Sequence, residues 1–302
     1  MKGIILAGGR GTRLWPITFS TSKQLLPIFD KPMVYYPLST LMQSGIREYL
    51  LISSPEDLED YRNLLGDGDR FGISIEYEIQ EKPEGLPQAF IIGDEFIGES
   101  SVALILGDNL FHGEGISELL IKSVEDTEKN GFANLFGFKV ADPQRFGVAD
   151  VSSGGVISSI VEKPANPSSD IAVTGLYMYG PEVVNKAKNL RPSERGELEI
   201  SELNMGFVKS GNAKITIFDK EFRWLDTGTV SSLHSASNFI MNTQESTSNM
   251  VGCPEEIAFR MGFIDESKLI ESCDIYPKGN DYGDYLKSII AEKLFTETER
   301  IL

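Results

Sequence analysis

The chain is poor in three things that would point to particular chemistries. Of its 302 residues only Cys253 and Cys273 are cysteines. They form no disulfide framework and no paired ligand spacing, which favours a reducing compartment. The only histidines, His112 and His234, stand in no His-Cys or His-Asp spacing that would suggest zinc, and no Ser/His/Asp arrangement accompanies them. Both are expected to serve packing or capping. No apolar run approaches membrane-spanning length, and strand-like sequence follows Lys2 directly, so neither a membrane anchor nor a signal peptide is expected. The expected location is the cytoplasm. No internal repeat or low-complexity segment interrupts the chain.

Positive charge is also scarce. The net charge is −17, which argues against nucleic acid, whose phosphates require a basic footprint. The first forty residues are the exception. They hold Lys2, Arg10, Arg13, Lys23 and Lys31 against Asp30 alone, a net of +4, so the remainder carries −21. A basic start on an acidic body suits a small polyanion held in one cleft.

What is present fits one large α/β unit: 41% hydrophobic and 24% charged residues, with ample chain for a core. Through the first half, apolar runs at 3–7, 48–52 and 102–106 and an alternating run at 73–79 read as strands. Helical stretches at 33–43, 55–65, 86–96 and 116–129 separate them, several followed by glycine. Such βα alternation predicts a mainly parallel sheet with helices on both faces. After Asn134 strands at 135–140, 147–151, 156–162 and 173–179 follow with fewer helices, a mixed extension of the same sheet. Helices at 181–189 and 200–210, a strand at 214–218 and a short buried approach at 224–226 come next. From 229 onward the sequence reads as helical, at 231–242, 254–261, 266–271 and 282–294. The expected organisation is a single domain over 1–302, with a core at 1–228 and a helical extension at 229–302 that is not independent.

The loop that closes the first strand carries the chemistry. Gly8, Gly9 and Gly11 stand among Arg10, Thr12 and Arg13. Glycines let successive backbone N–H groups converge on an anion. Leu14 stands where the dinucleotide fingerprint needs its third glycine, and Gly11 is followed by Thr12-Arg13 where a P-loop needs Lys-Ser/Thr. It is a phosphate loop of neither common kind. Taken alone, a glycine-rich turn with surface arginines remains an adequate reading.

Together, LAGGRGTRLWPIT and SKQLLPIFDKPM resemble the signature of the sugar-1-phosphate nucleotidyltransferases. The resemblance runs from Lys2 to about Arg260 and implies the Rossmann-like nucleotide-diphospho-sugar transferase fold. The activity it implies is thymidylyl transfer from dTTP to glucose 1-phosphate, giving dTDP-glucose and pyrophosphate at the head of dTDP-rhamnose and deoxysugar synthesis. It implies Arg13, Lys23 and Lys163 as catalytic cations. Leu6, Gly8, Gly9, Gly11, Thr12 and Gln24 would serve the nucleotide, with Gln80, Pro83, Gly85 and Leu86 of QEKPEGLPQA around the base. An amide such as Gln80 can match an N–H and a carbonyl on one pyrimidine edge. Asn109, Gly147, Glu162 and Val173 would hold the sugar.

Asp108, at the end of the strand 102–106, and Asp226, in WLDTG, would bind Mg²⁺, which takes one or two carboxylates and completes its shell with phosphate oxygens and water. By sequence alone an aspartate at a strand end is more often a turn or capping residue. Gly115, Glu256 and Arg260 would belong to a regulatory site at a subunit interface, for feedback inhibition by a dTDP-sugar in a homotetramer. Glu256 and Arg260 lie four apart and could instead pair with each other. An Arg145–Glu162 surface pair is the competing reading of that segment. Two positions depart from the family pattern. Pro87 replaces a small residue, which predicts local stiffening, and Phe146 stands where tyrosine is usual, without its hydroxyl. Uridylyl or cytidylyl transfer, a metal-dependent glycosyltransferase and a non-catalytic nucleotide-sugar sensor remain open at this stage.

Overall fold

The computed structural model describes residues 1–9, 11–152 and 154–299, and side chains up to residue 292. Arg10 of the glycine loop lies outside the described residues. In chain order the first strands are β1 (Lys2–Leu6), β2 (Pro27–Ile28), β3 (Lys31–Pro32), β4 (Glu48–Ser53), β5 (Ser74–Ile79), β6 (Val102–Leu106) and β7 (Asn109–His112). They continue as β8 (Ala133–Lys139), β9 (Gly147–Val151), β10 (Ile157–Glu162), β11 (Ile171–Tyr179), β12 (Ala213–Ile217) and β13 (Arg223–Asp226). The helices of the first half are α1 (Tyr35–Gln43), α2 (Leu58–Leu65), α3 (Gln88–Ile92), α4 (Asp94–Ile97) and α5 (Ile116–Asn130). Those of the second are α6 (Val183–Lys188), α7 (Ile200–Lys209), α8 (Val230–Thr247), α9 (Pro254–Arg260), α10 (Glu266–Asp274) and α11 (Asp281–Glu299).

One nine-stranded sheet runs β10-β9-β11-β6-β1-β4-β5, with β8 on β11 and β12 on β8. The expected parallel half is present, since β1 pairs parallel with both β4 and β6, and β4 with β5. Continuous apolar sequence in β1, β4 and β6 follows from that position, because parallel strands linked by helical crossovers are covered on both faces. Ile5 and Leu51 point into one buried cluster with α1, α2 and α5, while Ile4 and Leu50 point into another with α3, α6 and α7. The mixed half begins at β11, antiparallel to β6, β8 and β9.

Three expectations shift in detail. The helix expected at 86–96 is two short ones, broken at Gly93. There a Cβ would come within 3.1 Å of the Ile4 and Leu50 side chains, so the chain bends where it presses on the sheet. The helix after Pro55 starts only at Leu58, while α8 runs on to Thr247, beyond the expected residue 242. Strand β7 has no periodic signal in its four residues and exists because β13 pairs with it.

Helix α1 is buried from Tyr35 through Met42, which requires cover on both sides. The sheet supplies one side and the C-terminal helices, α9 foremost, the other. Glu255 of α9 is completely buried and accepts hydrogen bonds from the Tyr282 hydroxyl at 2.6 Å and the Tyr276 hydroxyl at 3.2 Å. A buried carboxylate without partners is costly, so these phenols tie α11 and the turn after α10 to α9. No helix of the described residues is long and apolar enough to cross a membrane. Tyr282→Phe removes one charge-assisted bond and should lower unfolding free energy by about 1–3 kcal/mol in urea denaturation.

Candidate active site

Because β1 and β6 are parallel neighbours, their following turns emerge at one edge of the sheet: Gly8-Gly9 after β1, Gly107-Asp108 after β6. That carboxyl edge is where open α/β sheets hold ligands. The β7–β13 ribbon folds back over it and sets Asp226 opposite Asn109, beside Asp108. The β9–β10 pair brings Glu162 opposite Gly147. These parts enclose a cleft of about 350 Å³. Of the residues expected at the site, Leu6, Gly8, Arg13, Gln80, Pro83, Gly85 and Leu86 line it, as do Asp108, Asn109, Gly147, Glu162, Lys163, Val173 and Asp226.

The charges are interlocked. Asp108 takes the Lys23 ammonium at 2.5 Å and the Asn109 side-chain amide at 2.9 Å. Asn109 is itself fixed, its Oδ1 accepting from Trp224 Nε1 at 2.6 Å and from Gly175 N at 3.1 Å. The Asp226 carboxylate lies 3.3 Å from the Arg145 guanidinium. Burial, and then the charge of Asp108, hold the Asp226 carboxyl above the ordinary aspartate range, although Lys23, Arg145 and Arg13 pull the other way. Two hard oxygen donors that repel one another across a polar cleft fit a divalent cation such as Mg²⁺ that completes its shell from phosphate and water. Among the described residues no group of three or more His, Cys, Asp or Glu gathers as an all-protein metal cage.

At one end of the cleft Gln80 lies buried against the loop. A Cβ on Gly8 would sit 2.5 Å from Gln80 Oε1, so only glycine lets the two approach. Gly85, at φ +111°, packs so that a Cβ would lie 2.1 Å from Leu198 O, while Leu198 N donates to Glu84 O at 2.8 Å. The segment before α7 thereby closes the cleft wall. At the other end Lys163 adopts φ +43°, a conformation that costs a non-glycine residue of order 1–3 kcal/mol, with its ammonium 3.5 Å from Glu162.

Other expected residues fall elsewhere. Gly9 faces a neighbouring groove with Trp15 and Phe19, while Gly11 and Thr12 form the turn behind Arg13. Gln24 is buried under the loop, bonded to Ser22 at 3.0 Å, and Lys23 reaches the site only through Asp108. The basic start of the chain is no single patch. Lys31 is buried on Asp30, and Lys2, at the far end of β1, bonds Phe96 O and pairs with Glu48. The Arg145–Glu162 pair does not form; Arg145 takes Asp142 at 2.8 Å and Asp226. Pro87 is buried at the N-cap of α3, and Phe146 packs on Trp224 with ring centroids 5.0 Å apart, so an apolar ring suffices there.

The family profile described as nucleotidyl transferase matches residues 2–243. The chain belongs to the nucleotidyl transferase family. It is 50% identical over 290 residues to a glucose-1-phosphate thymidylyltransferase of Neisseria meningitidis, covering 96% of this chain and 99% of that one. To the enzyme of that name from Mycobacterium tuberculosis it is 44% identical, covering 96% and 99%. Among solved structures it resembles a putative glucose-1-phosphate thymidylyltransferase of Bacillus anthracis in complex with a sucrose: TM-score 0.72, 39% identity, 79% of this chain and 94% of that one. It also resembles a UDP-glucose pyrophosphorylase complexed with UDP-glucose, with a TM-score of 0.71, 26% identity and coverage of 80% and 98%.

For this nucleotidyl transferase the sequence reading missed one wall of the cleft. Tyr177, Arg195, Glu197, Ser201 and Asn204 line it, from β11 and the approach to α7. The signal available was the charged run RPSERGELE, too dense in charge for a simple turn. A second cleft, of about 250 Å³, lies between α1 and α9 and includes His112, Glu256 and Arg260, with Ile116, next to Gly115, on its wall. Glu256 and Arg260 do pair, at 2.7 Å, and the Tyr285 hydroxyl donates to Glu256 at 2.7 Å. Burial, then the Arg223 charge, push the His112 imidazole down, which favours its neutral form.

Asp226 yields a pH prediction with a definite sign. Its folded carboxyl titrates above the unfolded one, so its contribution favours folding below the unfolded value near ~3.9 and is lost as pH rises through the folded value. Metal-free Asp226→Asn should therefore unfold at a higher denaturant midpoint than the parent at pH 7. That advantage should shrink as pH falls towards 4.

Proposed function

We propose that this cleft transfers the thymidylyl group of dTTP to glucose 1-phosphate, giving dTDP-glucose and pyrophosphate. A phosphate oxygen of the sugar attacks the α-phosphorus in line, forming the new P–O bond as the bond to pyrophosphate breaks. The obstacle is the meeting of two polyanions. At ~4 Å two unit charges repel by roughly 4 kcal/mol at an effective dielectric near 20. The convergence of Arg13, Lys163, Asp108 and Asp226 on one cleft beside Gln80 is the observation that carries the reading.

Each group has a task of positioning or electrostatics. Gln80 pairs with the pyrimidine edge, with Leu6, Pro83, Gly85 and Leu86 around the base. Gly8, Gly9, Gly11 and Thr12 shape the phosphate turn, with Gln24 beneath it. Arg13 faces the charge that develops as pyrophosphate leaves. Lys163, advanced by its positive φ, holds the sugar phosphate, while Glu162, Gly147, Asn109 and Val173 receive the hexose. Lys23 orients Asp108. Asp108 and Asp226 would hold Mg²⁺, which supplies neutralising charge to the phosphate oxygens when bound.

The chain acts as one nucleotidyltransferase domain, residues 1–228 forming the core and 229–302 its extension. It works in the cytoplasm as a homotetramer, and its product feeds deoxysugar synthesis such as that of dTDP-rhamnose. The second cleft, with Glu256 and Arg260 on its wall and Gly115 beside it, would take a dTDP-sugar as feedback inhibitor; the Glu256–Arg260 pair, braced by the Tyr285 hydroxyl, supports that reading. Uridylyl transfer is the second reading, because thymine and uracil share the edge that Gln80 meets and a UDP-glucose pyrophosphorylase is similar in fold.

Pyrophosphate release from glucose 1-phosphate with a panel of dTTP, UTP, dCTP and ATP tests both readings: fastest turnover with dTTP is expected, and turnover with none would refute the proposal. Arg13→Ala should lower kcat at least ~100-fold, the scale of losing one such donor, with the folded state intact by circular dichroism.

A further inference from the structure

Gln88 does not line the cleft, yet it bonds directly to Gln80, the side chain read above as the base-pairing amide. Its Oε1 accepts from the backbone N–H of Glu84 at 3.1 Å, and its Nε2 donates to the Glu84 carboxylate at 3.0 Å. A backbone N–H only donates and an ionised carboxylate only accepts, so these two partners leave Gln88 a single orientation. The same Oε1 then accepts from Gln80 Nε2 at 2.6 Å. Gln80 is thereby forced to turn its own Oε1 towards Gly8, where a Cβ would meet it at 2.5 Å.

We propose that Gln88 is a positioning residue that locks the Gln80 amide in the thymine-reading orientation and so sets the selection of thymine over cytosine. The inference rests on the reading of Gln80 as the base-pairing amide. Held this way, Gln80 offers Oε1 to the N3–H of thymine and its second Nε2–H to O4. Cytosine presents the reverse, an acceptor at N3 and a donor at N4. Reading it requires the Gln80 amide to turn over, which places the buried Gln80 Oε1 against the half-buried Gln88 Oε1, two acceptors face to face. A site built around fixed hydrogen-bond polarity rejects the wrong partner because its polar groups are left unpaired.

The test is the ratio of kcat/KM for dTTP to that for dCTP, measured with glucose 1-phosphate on the full chain. Gln88→Leu frees the Gln80 amide, and the ratio should fall at least ~10-fold, through a gain with dCTP as well as a rise in KM for dTTP, while kcat at saturating dTTP stays within ~3-fold. Gln88→Glu retains an acceptor for both Gln80 and the Glu84 N–H, and the exposed Glu84 side chain can turn to water, so this variant should keep the parent ratio. Gln80→Leu is the control and should collapse the ratio. A Gln88→Leu protein that loses activity equally with both nucleotides, beside a collapsed Gln80→Leu, overturns the role of Gln88 and leaves Gln80 as the reader. An unchanged ratio in Gln80→Leu overturns the base-pairing role of Gln80 and the proposal with it.

Discussion

The constraint on which the site depends is the mutual repulsion of Asp108 and Asp226. Burial and the charge of Asp108 raise the cost of ionising Asp226, and the fold offsets that cost by surrounding the two carboxylates with cations from three directions. Lys23 holds Asp108, Arg145 holds Asp226, and Arg13 adds its charge from the loop. This arrangement of charge is what supports the reading of the cleft as a place for a divalent cation and phosphate oxygens together. Remove the nine-stranded frame and the two aspartates have no reason to meet, being 118 residues apart in the chain.

The frame achieves the meeting through the β7–β13 ribbon. Asn109 opens β7 directly after the Gly107-Asp108 turn, pairing with β13 holds it there, and the Trp224–Asn109 bond anchors the ribbon over the cleft. Thr227 then caps the Asp108 carbonyl with its hydroxyl at 3.0 Å. On the other side, the close approach of Gly85 to Leu198 joins the turn before α3 to the segment leading into α7. The parts of the cleft are thus held by contacts between distant segments, so its walls are set only when the whole sheet is formed.

The C-terminal helices follow a different logic. Their contribution is to cover α1, a helix whose apolar circumference the sheet alone cannot bury. Glu255, buried among Tyr276 and Tyr282, gives that cover a directional lock in place of a purely hydrophobic one. Glu256, the next residue, faces the second cleft, so one turn of α9 serves both the packing and that surface.

The strands of the parallel half, the helices that alternate with them, the glycine turn after β1 and the aspartate just past β6 were all set by the sequence alone. These are local: an apolar run, a glycine cluster and a helix stop act within a few residues, where pattern is legible. Only the tertiary structure decided that Lys31 and Lys2 stand away from the site, that Arg145 joins Asp226 instead of Glu162, that β7 exists at all, and that Arg195, Tyr177 and Asn204 form a wall of the cleft. Each of these depends on which long-range neighbour a side chain finds. Charge and spacing in the chain do not encode that choice; the register and twist of a sheet assembled from both halves do.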